Sequence, residues 1–303
     1  MSEIFKNKKH EIEHAINMYA HGYAHFSAEL LYDTELKQKI GPISEKCHIY
    51  MIGLVPTFQI LTAKQVERNL QLTIKLGEKK KVLEIPIPDE FNFRGDLNNI
   101  YFEDAKGTVM ISDKTDLLYT ISKLEGGMPF EVKYIGQAYG KDGSRNAIDR
   151  LKKHETMQKI SLLGLPKNYS LEVLILEILP HNRIITVINP YAEEADESED
   201  RIANGLNKLY NTTEKERVSL YEASLIRHFK PEFNEKLKDS FPSTNHKFLN
   251  DCYDKDFSSI ISEICFDDFY YSLFSETVKP RPSFSIQYDL HDDESRKMFF
   301  SRN

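Results

Sequence analysis

Residues 171–179, LEVLILEIL, form a nearly continuous apolar run with no turn residue. A segment of that length without alternation suits a central strand buried on both faces. The chain must therefore build a sheet covered on two sides. Around this run the sequence changes rhythm several times. At 303 residues there is room for two domains and a small third.

Residues 9–38 read as one or two helices, with Ile12, Ile16, Tyr19, Tyr23 and Phe26 near a 3.6-residue period. From 47 to 111 the runs CHIYMIGLV, TFQILTA, LQLTIKL, KVLEIPI and TVMIS are separated by polar and Pro/Gly breaks, the pattern of an antiparallel sheet. DLLYTIS and EVKYIGQA then read as two strands joined by KLEGGMP. Ser144 is placed to cap a helix over 145–160, and RIITVIN reads as a strand. AEEADESED is an exposed acidic loop, followed by a helix over 201–210. Thr213 and Glu216 have the spacing of a capping box, opening a helix that Pro231 ends. Beyond 240, DFSSIISEICFDDFYYSLF reads as a helix and FSIQYDL as a strand. The expected fold class is α+β, in three parts. Residues 1–112 form a helix-plus-antiparallel-sheet domain, 113–240 a small antiparallel sheet flanked by helices, and 241–303 a small α/β extension.

Bulk properties narrow the function classes. No apolar run approaches the length of a membrane span, and the opening MSEIFKNKKHEIEH lacks a secretory hydrophobic region. The cysteines at 47, 252 and 265 form no CxxC pair, which points to reduced thiols and the cytoplasm. The net charge is −7, yet 133–167 holds eight Lys/Arg against three acids. A solvated helix face and a phosphate-binding surface both account for such a segment.

Several residues carry candidate chemistry. In the helix after Thr213, Val218, Tyr221, Leu225, Ile226 and Phe229 form an apolar stripe that includes Glu222. A carboxylate there needs a partner or a metal, the ordinary alternative being a hydrogen-bonded residue at the edge of the stripe. Arg150 and His154 are four apart, so one helix face would carry a phosphate ligand beside a proton carrier, or two exposed polar groups. Tyr119 and Tyr134 fall in neighbouring expected strands. His10-Glu11-Ile12-Glu13-His14 matches the zinc motif HExxH, but Asn17 and Ala20 stand where its extended form has Gly and His.

The order of these residues is more specific than any one of them. Leu117-Leu118-Tyr119 precedes Tyr134-Ile135-Gly136. Arg150-x3-His154 follows, then Glu222, then Asn234. This order resembles the GIY-YIG nuclease family over about residues 115–238, and the R-x3-H and E-x11-N spacings resemble its restriction-endonuclease branch. Leu117 stands where the family has glycine.

The resemblance implies a metal-dependent endonuclease hydrolysing DNA, with roles in restriction, phage defence or mobile elements. Glu222 would hold Mg²⁺, or Mn²⁺ in its place. Tyr119 helped by His154 would be the general base, Arg150 would stabilise the phosphate, and Tyr134 and Asn234 would complete the site. Lys133, Lys141, Arg145, Lys152 and Lys153 would contact nucleic acid, double-stranded DNA first among substrates. The N-terminal domain would supply recognition, and the acidic loop at 193–200 would cover the basic helix. A different class keeps the fold without cutting, as a nucleic-acid or protein-binding module.

Overall fold

The computed structural model describes residues 6–97, 100–111, 114–139, 147–179, 183–194, 200–242 and 247–297. In chain order the strands are β1 (Ile12–Ser27), β2 (Cys47–Pro56), β3 (Phe58–Val66), β4 (Asn69–Leu76), β5 (Lys79–Pro86), β6 (Phe91–Phe93), β7 (Tyr101–Asp104), β8 (Val109–Ile111), β9 (Met128–Gln137), β10 (Tyr169–Ile178), β11 (Arg183–Ile188), β12 (Ser259–Ile264), β13 (Tyr271–Phe274) and β14 (Phe284–Asp289). The helices are α1 (Thr34–Ser44), α2 (Lys114–Leu124), α3 (Ala147–Leu151), α4 (Glu155–Leu163), α5 (Asp200–Asn211), α6 (Glu214–Phe229) and α7 (Lys247–Asp254). The architecture is α+β.

One eight-stranded mixed sheet organises the chain, in the order β13-β9-β2-β10-β1-β12-β14, with β11 also on β1. β10 lies between β2 and β1, antiparallel to both, as the unbroken apolar run requires. Its side chains alternate between two cores. Leu174 and Leu176 join the core under α6 and α7, whereas Val173 and Ile175 join the core under α1, α3 and α4. Two three-stranded sheets, β3-β4-β5 and β6-β7-β8, pack with Leu117 and Ile121 of α2 around a third core. This unit is an excursion between β2 and β9, which pair with each other in the large sheet.

Residues 9–38, expected as helix, are mostly β1, with α1 beginning only at Thr34. Ile12 to Met18 are all buried, so the strand shows no two-residue alternation. A register shift between Ala20 and Gly22 then resets the parity. Ile16 and Met18 serve one core and Phe26 the other, and the resulting spacing imitates a helix.

DLLYTIS is helical, not a strand. Leu117 and Ile121, four apart, bury one face of α2 against the small sheets. The helix expected over 145–160 is instead α3 and α4, broken at 152–154. Ser144 lies outside the described residues. DFSSIISEICFDDFYYSLF contributes β12 and β13 rather than a helix. The first pairs parallel to β1 and the second parallel to β9.

The large sheet thus draws strands from 1–112, 113–240 and 241–303 alike, so the expected boundaries cut through one sheet. It is also larger than the small antiparallel sheet expected for the middle segment. The capping box forms as expected. Thr213 Oγ1 accepts from the Glu216 amide, and Glu216 Oε2 accepts from the Thr213 amide at 3.0 Å. Among the described residues no helix is long and apolar enough to cross a membrane.

Candidate functional site

The site lies where β9 runs free of β13. On β9 that strand reaches only Met128 to Glu131, leaving Tyr134-Ile135-Gly136 bordered on one side by β2. Tyr50 of β2 pairs with Gly136, and Ile52 with Tyr134, which places both tyrosines on one face of adjacent strands. Their ring centroids are 6.2 Å apart. Gly136 has a steric reason. A Cβ there would lie 2.5 Å from Tyr50 Oη and 2.9 Å from Tyr134 Cε1.

His154, the residue before α4, caps the pair from above. Its ring centroid is 4.8 Å from Tyr134 and 5.5 Å from Tyr50. The imidazole is 4 % exposed, and its Nδ1 has no hydrogen-bond partner among the described residues. Burial, reinforced by the Arg150 charge, pushes its pKa down to about 4, so the ring is neutral at pH 7. Arg150 comes from the exposed side of α3, and its positive charge beside Tyr50 partly offsets the effect of burial on that phenol. The break after α3 means that Arg150 and His154 converge from two elements rather than along one helix.

Glu222 enters from α6. Gln137 Nε2 donates to its Oε2 at 2.6 Å. Burial raises the carboxyl pKa to about 7, against the opposing effects of Gln137 and Arg150. Burial likewise raises the Tyr50 and Tyr134 pKa values, so both phenols are protonated at neutral pH. Asn234 fixes the edge of the site by pairing with the backbone of Ile135. Its Oδ1 accepts from the Ile135 amide at 3.0 Å and its Nδ2 donates to the Ile135 carbonyl at 2.8 Å. A cleft of about 400 Å³ opens beside Tyr134 and Glu222, walled by Thr156, Phe233, Lys236 and Leu237.

The structure thus brings together Tyr134, Arg150, His154 and Glu222, with Asn234 behind them. Tyr119 is not among them. It sits on α2, where Lys123 Nζ lies 4.8 Å from its ring centroid and Asp268 is a further neighbour. The strand tyrosine diagonal to Tyr134 is Tyr50, in His48-Ile49-Tyr50, and the excursion of small sheets separates the two in sequence. Its signal was present as an x-Ile-Tyr within a strong strand. Gln137, directly after Gly136, was missed with it.

The basic residues fare unevenly. Lys133 is matched by Glu131 at 2.7 Å and Glu232 at 3.0 Å, which leaves it a poor phosphate ligand. Lys152 and Lys153 occupy the turn between α3 and α4. Lys141 and Arg145 lie outside the described residues, as do 195–199 of the acidic loop. His10 and His14 do not form a zinc site. Both belong to or adjoin β1, where His14 bonds Thr186 and His10 pairs with Glu194. Among the described residues no three His, Cys, Asp or Glu side chains gather as metal ligands.

No family model matches the chain, and no solved structure matches it at a significant level. A curated relative is the UDP-N-acetylmuramoyl-L-alanyl-D-glutamate--2,6-diaminopimelate ligase of Caldanaerobacter subterraneus subsp. tengcongensis, 26 % identical over 167 residues. The match covers 51 % of this chain and 34 % of the relative, so this chain spans about a third of that protein's length. The relative is an enzyme that joins molecules. This finding overturns the endonuclease expected from the motif order, together with its hydrolase activity and its place in restriction or phage defence. It supports an enzyme of another kind.

Proposed function

We propose that the cluster of Tyr50, Tyr134, Arg150, His154 and Glu222, with the cleft that opens beside Tyr134 and Glu222, is the active site of an enzyme acting on a phosphate-bearing substrate with one divalent cation. Its layout is of the GIY-YIG type, with His48-Ile49-Tyr50 as the first motif. What carries this reading is the convergence of an exposed guanidinium, a neutral buried imidazole and a half-buried carboxylate around two protonated phenols. Each has a role that its chemistry allows. The Arg150 guanidinium takes phosphate oxygens through paired N–H donors. Tyr50 and Tyr134, held protonated, donate to developing negative charge and are unsuited to act as bases. His154, neutral near pH 7, accepts or relays a proton.

Glu222 fits Mg²⁺, or Mn²⁺ in its place, by donor chemistry. Mg²⁺ keeps most of its waters and takes one or two carboxylates together with substrate phosphate, so one carboxylate beside a phosphate ligand suffices. When bound, the cation would neutralise charge on a phosphate oxygen. The relative's substrate, by its name, carries a UDP group, and nucleotide-linked compounds are the first class to try. Nucleic acid, expected as partner, is a further phosphate bearer to test for binding, and a cytoplasmic setting belongs to the same proposal.

The test is an amide NMR titration of the full chain with UDP, ATP and short duplex DNA, each with Mg²⁺. The expected result is metal-dependent shifts at Gly136, Thr156 and Glu222 that Arg150→Ala and Glu222→Gln abolish. Shifts confined to other surfaces with all three compounds would end this reading.

A further inference from the structure

We propose that Gln137 is the positioning residue of this site, holding the Glu222 carboxylate in the orientation in which it meets the cation. The inference rests on the cation reading above. Gln137 follows Gly136 on β9 and faces α6, where Ser219 and Glu222 stand three apart and so share a helix face. Its side chain spans that spacing. Nε2 donates to Glu222 Oε2 at 2.6 Å, and Oε1 accepts from Ser219 Oγ at 3.4 Å.

The direction of the amide follows from chemistry. Once Glu222 has lost its proton, as holding a cation requires, it can only accept, so the NH₂ end faces Glu222 and the carbonyl end faces the hydroxyl. The link therefore ties the strand carrying Tyr134 and Gly136 to the helix carrying the cation ligand. Glu222 is flanked on α6 by the buried Tyr221 and Ala223. Without the amide, its carboxylate would be free to change rotamer, and the cation would lose a preset ligand. Hydrogen bonds of this kind to metal ligands alter metal affinity by about 10- to 100-fold.

The experiment uses the full chain and Mn²⁺ alone as probe. Paramagnetic broadening of amide signals gives the site and the affinity, and urea unfolding is followed in parallel. In the wild type, broadening centres on Glu222 and Tyr134. Gln137→Met should weaken it about 10- to 100-fold while the urea midpoint stays near that of the wild type. Adding Mg²⁺ should also shift the Gln137 side-chain NH₂ signals, and Glu222→Gln should remove that shift. A purely structural glutamine would show no such shift.

If Gln137→Met does not fold, Ser219→Ala should weaken Mn²⁺ in the same direction by a smaller factor. Unchanged Mn²⁺ affinity in Gln137→Met, with binding lost in Glu222→Gln, overturns the positioning role and leaves the cation reading standing. If Mn²⁺ never broadens signals around Glu222 in the wild type, the cation reading falls and this inference falls with it.

Discussion

Tyr50 and Gly136 pair across the β2–β9 ladder, and the phenol of one occupies the space that the other leaves by having no side chain. The relationship is steric before it is chemical. Both partners are backbone-fixed, so a methyl group at 136 must displace the Tyr50 ring or spread the strands. Gly136→Ala should cost about 1–3 kcal/mol by urea unfolding. It should also reduce the shifts that phosphate compounds cause in the wild-type spectrum. Wild-type stability and binding in this variant would mean that Tyr50 is not locked where it is seen.

The two tyrosines that compete for the first motif can be told apart. Tyr50→Phe removes a hydroxyl that lies beside Arg150 and should weaken nucleotide binding by about 2- to 10-fold. Tyr119→Phe touches only the surroundings of Lys123 and Asp268 and should leave affinity unchanged. Calorimetric titration of both variants decides the matter, and a larger loss in Tyr119→Phe would reverse the assignment.

Asn234 acts as a short piece of β-strand, satisfying both the N–H and the C=O of Ile135. Asn234→Leu leaves those two backbone groups without side-chain partners in a buried place. The expected cost is about 2–4 kcal/mol. Hydrogen exchange at the Ile135 amide should accelerate with it, and an unchanged exchange rate would count against the pinning role.

The buried imidazole of His154 gives a pH signature. Its folded pKa, about 4, lies below the ordinary value of 6.5, so between these limits the unfolded chain binds more protons. Stability contributed by the neutral ring is therefore present above pH 6.5 and is lost as pH falls toward 4. Comparing urea midpoints at pH 7.5 and 4.5, His154→Phe should remove on the order of 2 kcal/mol of the acid-side loss. An identical pH dependence in variant and wild type would show that the ring takes up protons freely in the folded state.

Much of the fold was legible where local chemistry decides it. LEVLILEIL could only be a two-sided strand, and Thr213 with Glu216 announced α6. What escaped depends on tertiary context. β1 looks helical because a bulge switches its large residues from one core to the other. Leu117 and Ile121 looked like strand residues because a short apolar run does not by itself tell a helix face from a strand, and only their packing on the small sheets decides it. The site followed the same division. Tyr134, Arg150, His154 and Glu222, singled out by their order along the chain, lie near one another in the fold, whereas Tyr50 was displaced from view by the excursion between β2 and β9. Asn234 was singled out too, but nothing in a sequence shows that its amide pairs with the backbone of Ile135.

The placement of β1 has a further consequence, for biosynthesis. This strand leaves the ribosome well before the partners that flank it. β10 and β11 supply one edge from residue 169 onward, and β12 supplies the other from residue 259. Until β10 and β11 emerge, a strand with seven consecutive buried residues has both edges unpaired, the condition in which nascent chains associate wrongly. Shortened forms ending before residue 259 should therefore be recovered as aggregates, and slower elongation or chaperone capacity should govern the yield of the whole chain.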